Sequence, residues 1–260
     1  MMRCLTRGAS LAGVFLVVTG CGGDDGAVPA ADGPPVADAS PVDAGADAAG
    51  EFPRPGFGVI TGACNVLDDE LTSPDPDIID SAIDFARLYT DADVDLLTAG
   101  GQEMIADGNA GGSSLLSEVF SFEVLDRCES ATLLKTETEV NYDVPDSAIT
   151  DLLVAIDDEK IGVSVTRAVG YPFEDPYTVM QAKELLERKL ADIQESSASV
   201  SAEDRWAKQI LAVLAYAPEH AESLHAALAE IDATVKADTI VWIVVSNGAD
   251  DFIYCDGACE

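Results

Sequence analysis

Several groups of side chains in this sequence have types and spacings suited to chemistry, and each points to a different reaction. Asp91-Ala92-Asp93-Val94-Asp95 puts three carboxylates at alternate positions, as the first half of a calcium-binding loop does. The second half of that pattern needs glycine where Leu96 stands and an acid where Gln102 stands. Asp91, Asp93 and Asp95 are therefore candidate ligands for a divalent cation, Ca or Mg, on an incomplete motif. Asp151 lies in an apolar stretch, 149–156, whose alternation reads as a strand, with Leu153 and Ala155 on its face. A carboxylate in the middle of a strand needs solvent or a partner, because burying it alone is costly. Asp151 is thus the leading candidate for acid chemistry. Gly162-Val163-Ser164-Val165-Thr166 lacks the last glycine of a hydrolase nucleophile elbow, and Ser164 falls mid-strand. His220 and His225 are five apart and do not share a helix face as metal ligands would. Gly108-Asn109-Ala110-Gly111-Gly112-Ser113 precedes a helix without a phosphate-binding lysine, and reads as a glycine loop and cap.

The elements that would hold these groups follow from periodicity. Asp75-Pro76-Asp77 resembles a helix start, and Ile78, Ile79, Ala82, Ile83, Ala86 and Tyr89 follow at helical spacing. Residues 98–112 are glycine-rich and loop-like. Ser113 or Ser114 caps a second helix carrying Leu115, Leu116, Val119, Phe120 and Val124. Strands are predicted over 133–142, 149–156 and 161–169, the last two joined by the polar turn Asp157-Asp158-Glu159-Lys160. A long helix is predicted over 177–194, and a second helical stretch over 203–235, broken near Pro218. Residues 239–245 form an apolar run typical of a central buried strand, and Phe252-Ile253-Tyr254 a short final strand.

This order resembles the PD-(D/E)XK nuclease-like core, α-β-β-β-α-β, over about residues 113–246. The resemblance implies an α/β (α+β) fold, a mixed central sheet with flanking helices. It also implies an Asp on the second core strand, and a Glu or Asp followed two residues later by Lys on the third. There the carboxylates hold a divalent metal and the Lys helps activate water. Asp151 fits the first acid. Ser164-Val165-Thr166 stands in place of the acid-x-Lys, and neither Ser164 nor Thr166 replaces a metal-binding carboxylate or a cation. Arg167 alternates to the opposite face. A literal match, Pro145-Asp146 with Asp158-Glu159-Lys160, falls in turns, where such residues serve turn chemistry. A second acid would have to come from Glu118 or Glu123 on the preceding helix, and a relocated cation from Lys183 on the following one. Each of these three also fits an ordinary solvated helix face.

The start of the chain carries a different signal. Arg3 and Arg7 form a basic head, 11–18 an apolar run, and Val18-Thr19-Gly20-Cys21 a set of small residues before a cysteine. The run is shorter than the roughly 20 residues that span a bilayer. The last four residues resemble the bacterial lipobox, with Val18 where leucine is commonest. This implies a signal peptide over 1–20, acylation (palmitate or a similar chain) at Cys21, and export to a bacterial cell membrane. Residues 21–56 read as a flexible stalk rich in Ala, Asp, Gly and Pro, and 57–260 as one globular domain. Among the remaining cysteines, Cys255 and Cys259 suit a local clip. Cys64 and Cys128 are further disulfide candidates in an oxidising compartment, and Cys128, at the end of an apolar helix, also reads as a buried thiol.

Charge narrows the partners. The net charge is −34, and residues 52–260 keep 41 of the 48 acids and 12 of the 14 bases, a balance of −29. Such a surface repels phosphate backbones and anionic headgroups, which counts against nucleic acid. The expectation is a membrane-anchored domain that binds a protein or small molecule on a degenerate nuclease-like fold. The alternative is a metal-dependent phosphodiesterase centred on Asp151.

Overall fold

In this computed structural model, which describes residues 51–109, 114–173 and 175–255, strands and helices alternate along the chain. In order they are β1 (Val59–Gly62), β2 (Asp77–Phe85), α1 (Ala99–Asp107), α2 (Leu115–Glu129), β3 (Thr132–Thr136), β4 (Leu152–Ile156), β5 (Glu159–Ala168), α3 (Val179–Ser199), β6 (Lys208–Ala215), α4 (Pro218–Glu230), α5 (Ala233–Lys236), β7 (Ile240–Gly248) and α6 (Asp251–Tyr254). The strands form one mixed sheet in the order β1-β2-β7-β6-β5-β4-β3. Four parallel strands, β2, β7, β6 and β5, make its centre, while β1 and the β4–β3 pair add antiparallel margins. The expected mixed sheet with flanking helices is therefore present, and α2-β3-β4-β5-α3-β6 gives the α-β-β-β-α-β order over 115–215.

Each sheet face buries its own core. Val154, Val163, Ala212 and Trp242 pack with Phe120 and Phe122 of α2, and Leu211, Val213, Val241 and Ile243 pack with Leu186 and Leu190 of α3 and Leu224 of α4. This two-sided burial explains why β6 departs from the helix expected over 203–217. All eight of its residues are buried, and a short run apolar on both faces has no periodicity to separate strand from helix. The core's last strand is thus β6, and 239–245 becomes the next parallel strand.

Four other expectations are corrected. The helix predicted from 75 to 89 is β2, because Ile79, Ser81, Ile83 and Phe85 alternate inward while Asp80 and Asp84 stay exposed. The glycine-rich loop is partly helix. Thr98 caps α1 by accepting from Gly101 N–H, and the glycines let it lie flush on α2. A Cβ on Gly100 would come within 2.5 Å of the Phe122 ring, and one on Gly101 within 2.4 Å of Glu123 Oε1. Residues 252–254, expected as a strand, lie in α6. The strand predicted over 133–142 stops at Thr136, and Tyr142 makes an isolated bridge to Val200.

The signal segment, Cys21, nearly all of the stalk, and Cys259 lie outside the described residues. The chain is already anchored at Arg54, inside the expected stalk. Arg54 N–H donates to Arg127 O, and its guanidinium pairs with Asp126. Arg127, 2% exposed, donates to the carbonyls of Arg54, Phe57 and Gly58 at 2.8, 2.9 and 2.8 Å. Cys128 is not a free thiol: it is bonded to Cys64, fastening the same segment to α2. Cys255 is also in a disulfide.

Candidate functional site

The site forms where β4 starts, beside a β5 that runs on past it. The hairpin between them turns at Asp157 and Asp158, both at positive φ, the paired geometry of a tight turn that fits strand twist. This confirms that Asp158-Glu159-Lys160 is turn and strand start, and not an acid-x-Lys site. The β4–β5 ladder ends at Leu152↔Val163. One residue further, Asp151 N–H donates to Val163 O at 3.0 Å, which sets Asp151 opposite Ser164 on the face that α3 covers. Asp151 and Ser164 thus share the face on which the nuclease-like pattern needs its acids.

The chemistry there differs from that pattern. Val165 N–H donates to Asp151 Oδ2 at 2.6 Å, so the carboxylate extends the hydrogen-bond ladder beyond the start of β4. Ser164 is buried, with its Oγ 3.4 Å from Thr150 Oγ1. Burial pushes the Asp151 carboxyl up to about 6, against the pull of the Lys189 ammonium on α3 and the Val165 N–H. Glu118, at the start of α2, is pushed up to about 7. Its burial is the main cause, and the charges of Asp151 and Glu137 add to it.

Of the sequence candidates, Asp151 and Glu118 come within electrostatic reach of each other, and Glu123 and Lys183 do not join them. Glu123 Oε1 accepts Thr98 N–H and Thr98 Oγ1–H, both at 2.7 Å, anchoring the start of α1, and burial raises its pKa. Lys183 pairs with Glu230 of α4 at 3.2 Å in a partly exposed bridge. Lys189, six residues on, is the cation that acts on Asp151. Its signal was available: it directly precedes Leu190, which packs on the sheet, so it flanks the inward face of α3.

The Asp91-Asp93-Asp95 candidate is committed elsewhere. Asp93 takes Arg87 Nη1 and Nη2 at 2.7 and 2.6 Å, and Thr90 N–H and Oγ1–H at 2.9 Å each. The Arg87 guanidinium holds the Asp93 carboxyl well below the usual carboxylate range. These bonds form the capping box of a short 3-10 turn, Asp91–Leu96. No group of three or more His, Cys, Asp or Glu side chains among the described residues is arranged to hold a metal ion. His225 pairs with Asp80 at 2.8 Å, whereas His220 Nδ1 is 2.9 Å from Ala168 O, a separate place.

No family model matches the chain. It is 39% identical over 154 residues to the AAC-rich mRNA clone AAC4 protein of Dictyostelium discoideum, across 57% of this chain and 22% of that protein. The chain thus spans about a fifth of that relative's length. Among solved structures it is similar to Pyrococcus furiosus SfsA in complex with Ca²⁺, at 14% identity and a TM-score of 0.26, covering 52% of this chain and 56% of that one. A likeness at that score carries no argument about fold or chemistry.

Proposed function

We propose that the chain is an exported, lipid-anchored binding protein on a nuclease-like sheet that has given up metal chemistry. One observation carries the loss of metal chemistry. Ser164 stands opposite Asp151 with Thr166 two residues on, where an acid and a lysine would be required, and the Asp151 carboxylate closes the backbone ladder at Val165 N–H. Hydroxyls neither neutralise a divalent cation nor activate water as a carboxylate and lysine do. Export rests on the Arg3–Cys21 leader pattern, with acylation at Cys21. The Cys64–Cys128 disulfide fits an oxidising compartment. The acidic surface favours a partner other than nucleic acid, a protein or a small molecule.

A nuclease assay with Mg²⁺ or Mn²⁺ tests this, comparing the full chain with Asp151→Ala. Equal background rates are expected, and metal-dependent cleavage lost in the variant would overturn the reading. The competing reading, a metal-dependent phosphodiesterase, draws on the raised pKa values of Asp151 and Glu118, since such shifts gather at catalytic sites. Anchoring is tested by radiolabelled fatty acid, which should enter the wild-type chain and not Cys21→Ser. Label in both, or in neither, would contradict it.

A further inference from the structure

The starts of α3 and α4 flank a cleft of about 510 Å³ beyond the carboxyl ends of the parallel strands β5 and β6, lined by Tyr177, Val179, Glu219, His220, Glu222 and Ser223. That end of an open parallel sheet is where ligands enter, and the volume suits a small molecule. We propose that this cleft binds a small organic cation with N–H donors, a primary amine or guanidinium on an apolar body, and that His220 Nε2 accepts one of those hydrogens. The proposal gives the binding reading above a ligand class and rests on that reading.

Two independent observations point to such a ligand. The first is His220, only 6% exposed. Its Nδ1 lies 2.9 Å from Ala168 O, and a carbonyl can only accept, so Nδ1 carries the hydrogen. In the neutral ring Nε2 is then a bare acceptor. The rings of Tyr177 and Tyr216, with centroids 5.0 and 5.8 Å away, hold the imidazole in place. Nε2 has no hydrogen-bond partner among the described residues and, unlike the Tyr177 hydroxyl, it is not sealed from solvent. It therefore opens on the cleft that His220 lines. A largely buried acceptor fixed in one tautomer and left without a donor is costly unless a donor arrives.

The second is the chemistry of the lining. Glu219 and Glu222 are exposed carboxylates, and no lysine or arginine lines the cleft. Ser223 spends its hydrogen on Tyr177 O at 2.8 Å, which leaves its oxygen free only to accept. Pro176 and Val179 supply apolar wall. The two helix starts do not turn the cleft toward anions. The capping box of Thr178 and Gln181 occupies donors at the start of α3. Pro218, which opens α4, has no N–H, and His220 N–H returns to Ala217 O. The net charge of −34 draws cations toward this surface.

Calorimetry on the full chain in mild detergent at pH 8 tests the proposal, with n-butylamine and n-butylguanidine as probes. Butyltrimethylammonium is the control, since it has the same charge and no N–H. At least one probe should bind saturably near one per chain, and the control at least tenfold more weakly. His220→Asn keeps an N–H donor for Ala168 O and removes Nε2, and should weaken binding about tenfold or more. Glu219→Gln with Glu222→Gln, both exposed changes, should weaken it several-fold with the melting temperature unchanged. The Nε2 nitrogen resonance of wild-type His220 should move on saturation with the bound probe and stay put with the control, a reading that needs no variant. No saturable heat with either probe, equal affinity for the control, or wild-type affinity in His220→Asn overturns the proposal. Metal-dependent cleavage with amine binding intact would instead overturn the non-catalytic reading alone.

Discussion

Replacing Asp151 by Asn should stabilise the protein at alkaline pH and change little at acid pH. In the folded chain the carboxyl titrates at about 6 instead of the usual 3.8, chiefly because it is buried. A folded pKa above the unfolded one means that ionisation works against folding. The cost is absent below the unfolded pKa, grows as pH rises, and is complete above about 6. The separation corresponds to about 3 kcal/mol. Asn keeps an oxygen to accept Val165 N–H and cannot ionise, but its amide N–H₂ must be accommodated. The net gain at pH 8 is therefore placed between about 1 and 3 kcal/mol, falling to near zero at pH 4. Asp151→Ala removes the acceptor as well, and should be less stable than the Asn variant by about 1–3 kcal/mol at both pH values. Urea unfolding of the three chains at pH 4 and pH 8 gives these differences. A pH-independent effect of the Asn change, or a loss of stability at pH 8, would refute the assignment of a strained buried carboxylate and point to an ionised, paired one.

Other outcomes follow from the same contacts. Because the Asp151 charge helps raise Glu118, Asp151→Asn should lower the Glu118 pKa below about 7, read by carboxyl NMR titration; an unchanged value would separate the two groups. Replacing Cys64 and Cys128 together by Ala, which opens a 64-residue separation and leaves the Cys255 disulfide in place, should cost about 4 kcal/mol by chain entropy, measured by urea unfolding against the wild-type chain. Arg127→Met leaves three carbonyls of the 54–58 segment without their donor, and should cost about 3 kcal/mol or more and open that segment to protease. Millimolar calcium should leave the melting temperature where chelator leaves it, since Asp93 is held by Arg87 and Thr90; an upward shift abolished by Asp91→Asn would contradict this.

The parts of the fold legible in the sequence are those whose two faces differ. In α2 and α3 the helical period was readable, and the Asp157-Asp158 turn marked the β4–β5 hairpin. β6 and β2 were misread for opposite reasons. β6 is apolar on both sides and has no period, whereas the isoleucines of β2 satisfy helical and strand spacing at once, and only pairing with β7 decides. Glycines in α1 read as loop because the Phe122 ring and Glu123 that demand them are far along the chain. At the site, Asp151 was visible as an acid among apolar neighbours, and Glu118 as a helix acid near it. Which lysine of α3 would serve depended on helix rotation. Lys183 faces α4, and Lys189 faces Asp151.

The central claim is that this sheet no longer holds a catalytic metal. Titrating Mn²⁺ into the full chain at pH 8, with Asp151 and Glu118 both ionised, tests it most directly. The structure predicts no saturable heat through the millimolar range, in wild type and Asp151→Ala alike. One ion bound per chain, lost in Asp151→Ala, would contradict it.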